Sequence, residues 1–200
     1  MKKRLELIRQ SFLWWPMLTV LAIILLDQIT KIWTISASGN LAPSVIKVII
    51  SDYFNIVDYR NTGAAWGMFS NNTIALSIIS LLAFIYFVFD FPSLTENIPF
   101  RKFAWSLLIG GVFGNFIDRF FRREVVDMIE VFIPMPKSAG RFLHLTSNGT
   151  YQFPAFNIAD SGICVGVVLY FIHVLFFAKK KKPVEETVKK DETEEHKQAQ

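Results

Sequence analysis

The chain has 200 residues, 52% of them hydrophobic and 20 of them Phe, with 21 Lys and Arg against 17 Asp and Glu for a net charge of +4. Its one cysteine, Cys164, excludes an internal disulfide, and its basic residues gather at the chain ends beside apolar runs, where they set membrane topology; no nucleic-acid partner is expected. The apolar residues form long runs at 13–35, 74–89, 103–121 and 156–178, whereas a soluble domain would scatter them at helical or strand period.

A helix crosses the hydrocarbon core with about 17–25 residues. The expected fold is therefore an all-α integral membrane protein with four transmembrane helices. The spans fall at about 13–35, 72–90, 103–121 and 156–178, the second taking in Asn72 and Thr73 at its interface. Residues 1–178 would form one membrane domain.

Residues 1–10 carry Lys2, Lys3, Arg4 and Arg9 ahead of the first run, as in a secretory signal peptide, and 36–39 faintly resemble a cleavage site. The run is longer than a signal core of about 7–15 residues, however, and holds Asp27 and Lys31, so an uncleaved span is expected. Asp27 and Lys31 stand four apart on one helical face. They read equally well as an internal ion pair or as a carboxylate turned into the bundle.

Residues 36–71 form the first long connection. Residues 45–50 and 53–59, rich in β-branched and aromatic types, read as two short strands, and Asn61-Thr62-Gly63 as a turn. Trp66, Met68 and Phe69 follow, so a small sheet resting on the bilayer is expected. The second span ends at Asp90, and 91–101 is a short connection with two prolines. In the third span Gly110 and Gly114 allow close helix approach. Asn115 and Arg119 share a face directed into the bundle, and Asp118 lies off it.

The second long connection, 122–155, suggests a hairpin of 142–145 with 151–153 around Asn148-Gly149. Asn157 and Asp160 open the fourth span, which contains Cys164 as a packing residue. The charged tail at 179–200 cannot bury a core and is expected to be disordered and cytoplasmic. Basic clusters beside both termini place both in the cytoplasm and the loops 36–71 and 122–155 outside. Arg122, Arg123, Lys137 and Arg141 fit that rule poorly, but the two termini agree. Asp127 and Asp160 then lie at similar depth.

Taken singly, each aspartate has a structural explanation. Asn157 would cap a helix whose positive end favours Asp160, and Asp127 would pair with Arg122 or Arg123. Taken together, two carboxyls sharing a site cannot both ionise cheaply; one can draw a proton from water while the other polarises a peptide carbonyl. The histidines, His144, His173 and His196, have no metal-ligand spacing, and there is no serine-nucleophile or phosphate-loop motif. Neither metal nor cofactor is expected.

Five blocks in order, LDQITK (26–31), NTGAAWGMF (61–69), GGVFGNFIDR (110–119), VVDMIEV (125–131) and FPAFNIADSGI (153–163), resemble the signatures of the lipoprotein signal peptidases, or signal peptidase II. The resemblance implies a bacterial inner-membrane aspartyl endopeptidase that cleaves diacylated prolipoproteins just before the lipidated cysteine. It implies Asp127 and Asp160 as the catalytic pair, Asn115, Arg119 and Asn157 as lining residues, and Asp27, Asn61 and Gly111 as supporting ones. It also implies an extracytoplasmic β-cradle at 45–59, lateral entry from membrane lipid, and a monomer. The chain departs from the family in a longer segment between the aspartates, where 140–150 would act as a lid or partner contact, and in its long tail. A proton-conducting transporter using Asp27, Asp118, Asp127 and Asp160, or a non-catalytic lipoprotein-binding scaffold, would be the rival functions.

Overall fold

A computed structural model of the chain describes residues 2–11, 14–63, 72–135, 146 and 149–177. The order of elements is α1 (Lys2–Ser11), α2 (Trp14–Ser38), β1 (Ser44–Ile50), β2 (Phe54–Asn61), α3 (Thr73–Thr95), α4 (Pro99–Phe121), β3 (Val125–Pro134), β4 (Thr150–Phe156) and α5 (Ile158–Phe176). The protein is a helical membrane protein with three apolar spans and a four-stranded antiparallel sheet.

Among the described residues, α2, α3 and α5 are long and apolar enough to cross a membrane. The third expected span, α4, is as long but carries Arg101, Lys102, Asp118 and Arg119 and does not meet that composition. Its position explains why. It packs against α2, α3 and α5 at once, so its surface meets protein on several sides and has less need to be apolar. Gly111 and Gly114 let the neighbours come close. A side chain at Gly111 would run into the Ala159 backbone of α5, and one at Gly114 would meet Asp27 of α2 at 2.8 Å.

Several boundaries differ from the sequence reading. The basic start is a helix of its own, α1, whose Arg4 pairs with Asp90 of α3. The connection expected at 91–101 is much shorter, because α3 runs through Pro92 to Thr95 and α4 begins at Pro99. Pro99 sits at a first helical position, where its missing N–H is no loss, whereas Pro92 removes one N–H bond from the last turns of α3.

The sheet is larger than two strands, with order β1-β2-β3-β4 and antiparallel pairing throughout. β1 and β2 lie close to where they were read. β3 was not expected. It pairs with β2, Tyr59 opposite Asp127 and Asn61 opposite Val125, and with β4, Ile129 opposite Phe156. Both long connections therefore contribute to one sheet. Residues 151–153 belong to β4 and pair with β3; their expected partner 142–145, Asn148, the segment 64–71 and the tail lie outside the described residues. At the expected hairpin position the Thr146 N–H donates to the Thr150 carbonyl at 2.8 Å.

Candidate active site

β3 and α5 each deliver one carboxylate. α4 is followed by Arg123 at a φ of 65°, a left-handed turn that starts β3 and brings Asp127 to its third position. The first turn of α5 is set by Asn157, whose Oδ1 accepts the Asp160 backbone N–H at 2.9 Å. The expected cap is thus present, and it fixes Asp160 at the helix start. Both aspartates line one cavity of about 560 Å³, together with Asn61 of β2 and Asn115 and Arg119 of α4. Phe153, Phe156, Ile163 and Val165 give it apolar walls.

Two asparagine side chains hold the pair, and Arg119 lies beside it. Asn157 Nδ2 donates to Asp127 Oδ1 at 2.8 Å, and Asn115 Nδ2 donates to Asp160 Oδ1 at 2.7 Å. Asn157 also reaches Asn115 Oδ1 at 3.2 Å, closing a chain from one aspartate to the other. Arg119 is tied by one amino group to the Gly63 carbonyl at 3.1 Å, and its buried Nε has no partner among the described residues. Asn61 accepts the Gly63 N–H at 2.9 Å, which builds the expected turn, and also faces Asp127.

The electrostatics separate Asp127 from an ordinary carboxyl. It is only 4% exposed. Burial first, and then the charge of Asp160, push it up to about 7, while Asn157 and the Lys31 charge pull the other way. Near neutrality the pair therefore retains a proton on Asp127, so one site holds a proton acceptor and a proton donor together. The expected pairing of Asp127 with Arg122 is not found: Arg122 binds Asp118.

Not every predicted residue reaches the cavity. Asn157, expected to line the site, is fully buried and holds Asp127 from behind the cavity wall; Gly111 seats α5 against α4, and Asp27 lies behind the site. Asp27 and Lys31 combine both readings left open by the sequence, since the carboxylate faces the bundle and is ion-paired at 2.8 Å with both partners fully buried. Lys31 also lies 2.8 Å from Asp118, the residue expected off the polar face. Sequence reasoning assigned neither Lys31 nor Asp118 to the site. Lys31 had its i,i+4 spacing to Asp27 as a signal; the link to Asp118 crosses between helices and left none. Cys164, read as packing, is exposed and lines the cavity. Among the described residues no three His, Cys, Asp or Glu side chains are grouped to hold a metal ion.

Comparison with known proteins adds an independent line. Residues 19–176 match the family model described as signal peptidase (SPase) II. The chain is 37% identical over 161 residues to the lipoprotein signal peptidase of Geobacillus kaustophilus (strain HTA426), covering 80% of this chain and 93% of that one. It is 38% identical over 165 residues to the lipoprotein signal peptidase of Bacillus velezensis, covering 82% and 96%. A bacterial membrane enzyme solved by the in meso method superposes with a TM-score of 0.68 at 34% identity, over 86% of this chain and 96% of that one.

Proposed function

The chain belongs to the signal peptidase II family, and we propose that it uses Asp127 and Asp160 to hydrolyse diacylglyceryl-modified prolipoproteins just before the lipidated cysteine. As a member of that family it is a membrane aspartyl peptidase that removes prolipoprotein signal peptides. The observation that carries the catalytic assignment is the sharing of one apolar-walled cavity by the two aspartates, with Asp127 raised to about 7.

The reaction follows from that arrangement. Asp160 takes a proton from a water molecule, and the resulting hydroxide attacks the scissile carbonyl carbon. Protonated Asp127 gives its proton to the carbonyl oxygen, which neutralises the tetrahedral intermediate. Collapse breaks the C–N bond, Asp160 passes its proton to the departing amine of the cysteine, and Asp127 recovers one from the collapsing hydroxyl. Asn115 and Asn157 hold the carboxyls in place, and the Arg119 guanidinium, which lines the cavity, meets a substrate carbonyl.

The membrane placement belongs to the same proposal. α4 serves as a fourth span shielded by its neighbours, both termini are cytoplasmic, and the sheet and cavity face the extracytoplasmic side. The basic residues beside both chain ends support that orientation. Residues 1–178 act as one monomeric domain. Exposed Cys164 and Val165 mark the side of α5 where the acyl chains approach the site without leaving lipid, which would cost about 0.8 kcal/mol per CH₂.

The test uses purified enzyme and one prolipoprotein prepared with and without diacylglycerol on its cysteine, with products identified by intact mass. Cleavage of the lipidated form alone, leaving cysteine at the new N-terminus, is expected. Cleavage elsewhere, or equal cleavage of the unlipidated form, would contradict the reading.

A further inference from the structure

Behind the cavity, Asp27, Lys31 and Asp118 form a fully buried row. Lys31 Nζ lies 2.8 Å from Asp27 Oδ2 and 2.8 Å from Asp118 Oδ2. The other contacts of those two carboxylates are informative. Asp27 Oδ1 accepts the backbone N–H of Ala159 at 2.9 Å, and Asp118 Oδ2 accepts that of Val126 at 3.1 Å. Ala159 immediately precedes Asp160, and Val126 immediately precedes Asp127. Each carboxylate thus grips the peptide that carries one of the two aspartates, and Lys31 joins the grips.

Lys31 has one further contact, its ammonium donating to Asn115 Oδ1 at 3.1 Å. That oxygen also accepts Asn157 Nδ2. With two donors on its oxygen, the Asn115 amide cannot flip without setting its NH₂ against an ammonium, so its Nδ2 stays turned to Asp160.

We propose that Lys31 is a positioning residue: with Asp27 and Asp118 it forms a buried buckle that fixes the separation of Asp127 and Asp160 and the orientation of Asn115 between them. The proposal rests on that pair being the reacting groups. The charges facing Asp127 are Lys31 from α2, Arg119 and Asp118 from α4, and Asp160 from α5. Tyr59 lies opposite it on β2 and bonds Glu130 of β3. Lys31 is a cation that pulls the Asp127 carboxyl down, as the attraction between Arg119 and Asp127 also does, so losing Lys31 should carry that carboxyl higher.

The experiment is steady-state cleavage of a diacylglyceryl prolipoprotein by full-length Lys31→Met across a pH series, normalised to folded enzyme. A misplacement near 1 Å costs roughly 100-fold in rate. We expect kcat to fall by about that factor, KM to stay within about threefold, and the alkaline limb to move up by roughly half to one pH unit, less than the one to three units of a directly paired carboxylate. Normal kcat per folded molecule with an unmoved limb would overturn the proposal.

Because Lys31→Met leaves buried charges unpaired, the triple variant Lys31→Met, Asp27→Asn, Asp118→Asn is the second arm. It keeps amide acceptors for Ala159 and Val126 but has no bridge between them. The kcat loss should persist in it; recovery to wild-type kcat, or failure of both variants to fold, would assign the cluster to folding alone and overturn the buckle. Activity in Asp127→Asn would sink the catalytic reading instead, so the two failures are distinguishable.

Discussion

Two pairs of carboxylates lie within a few residues of one another, fully buried Asp27 with Asp118 and buried Asp127 with half-buried Asp160, and they are treated in opposite ways. Asp27 and Asp118 are saturated: Lys31 bridges them, Arg122 binds Asp118, and Gln28 Nε2 reaches both at 3.1 and 3.3 Å. Asp127 and Asp160 receive amide donors but no direct cation, and they face a cavity. Ion pairs and hydrogen bonds occupy Asp27 and Asp118 with protein partners and leave no oxygen facing the cavity for a substrate. Incomplete pairing leaves Asp127 with a proton to give near neutrality. The difference separates a scaffold from a site, although the residue type is the same.

The largest expected effect breaks the saturated pair. Asp118→Ala takes one of two carboxylates from Lys31, removes the ion pair of Arg122 and frees the start of β3, and removing one partner of a buried pair typically costs about 3–5 kcal/mol. Thermal unfolding in detergent should fall sharply or yield no folded protein. A melting temperature within error of wild type would show that the ion-paired carboxylates are no scaffold.

Asp127→Asn should move stability in the opposite direction. Its folded value of about 7 lies above the ordinary 3.8, so between those values the native state holds a proton that the unfolded chain has released. Stability therefore falls as pH rises through that window, and the amide removes the slope. At pH 8 the variant should melt higher than wild type, by a few kcal/mol at most. Activity carries the same signature: wild-type kcat should decline as pH rises through about 7, when Asp127 loses the proton it donates. A flat profile from pH 6 to 9 would contradict that.

Asn157→Ala sharpens the comparison at a residue serving both roles. Losing the cap costs about 1 kcal/mol of stability, while losing the bond to Asp127 should lower kcat at least tenfold, beyond what the stability change explains. The smallest effect is expected at Asp58, which ties β2 to α2 through Ser38 and Arg60, each at 2.5 Å. Burial alone would raise that carboxyl, but bonds from Arg60 and Ser38 outweigh it and hold it below 3.8. Its stabilisation is present above that value and lost as pH falls through the lower folded one. Asp58→Asn should flatten the acid side of a stability profile and leave cleavage at pH 7 nearly unchanged.

These contrasts also mark what the sequence could reveal. The apolar runs of α2, α3 and α5 were legible because a lipid-facing helix must be apolar along most of its length. The Asn157 cap was legible because capping is local. β3 was not, since its first four residues are all buried and the period-two alternation of a half-buried strand is absent there. α4 misled in a different way: its polar residues meet other helices, so hydropathy understates how central it is. The buckle depends on Lys31 meeting a helix 87 positions onward at Asp118, a relation that no local pattern encodes. Asp127 and Asp160 were singled out by their common predicted depth, and their five flanking blocks carried the family resemblance.

The central claim is that Asp127 and Asp160 act as one unit. The most direct measurement is single-turnover cleavage of a diacylglyceryl prolipoprotein by Asp127→Asn, Asp160→Asn and the double variant, with substrate binding measured alongside. The account predicts that each single variant loses cleavage as completely as the double while substrate still binds. Substantial cleavage by either single variant would contradict it.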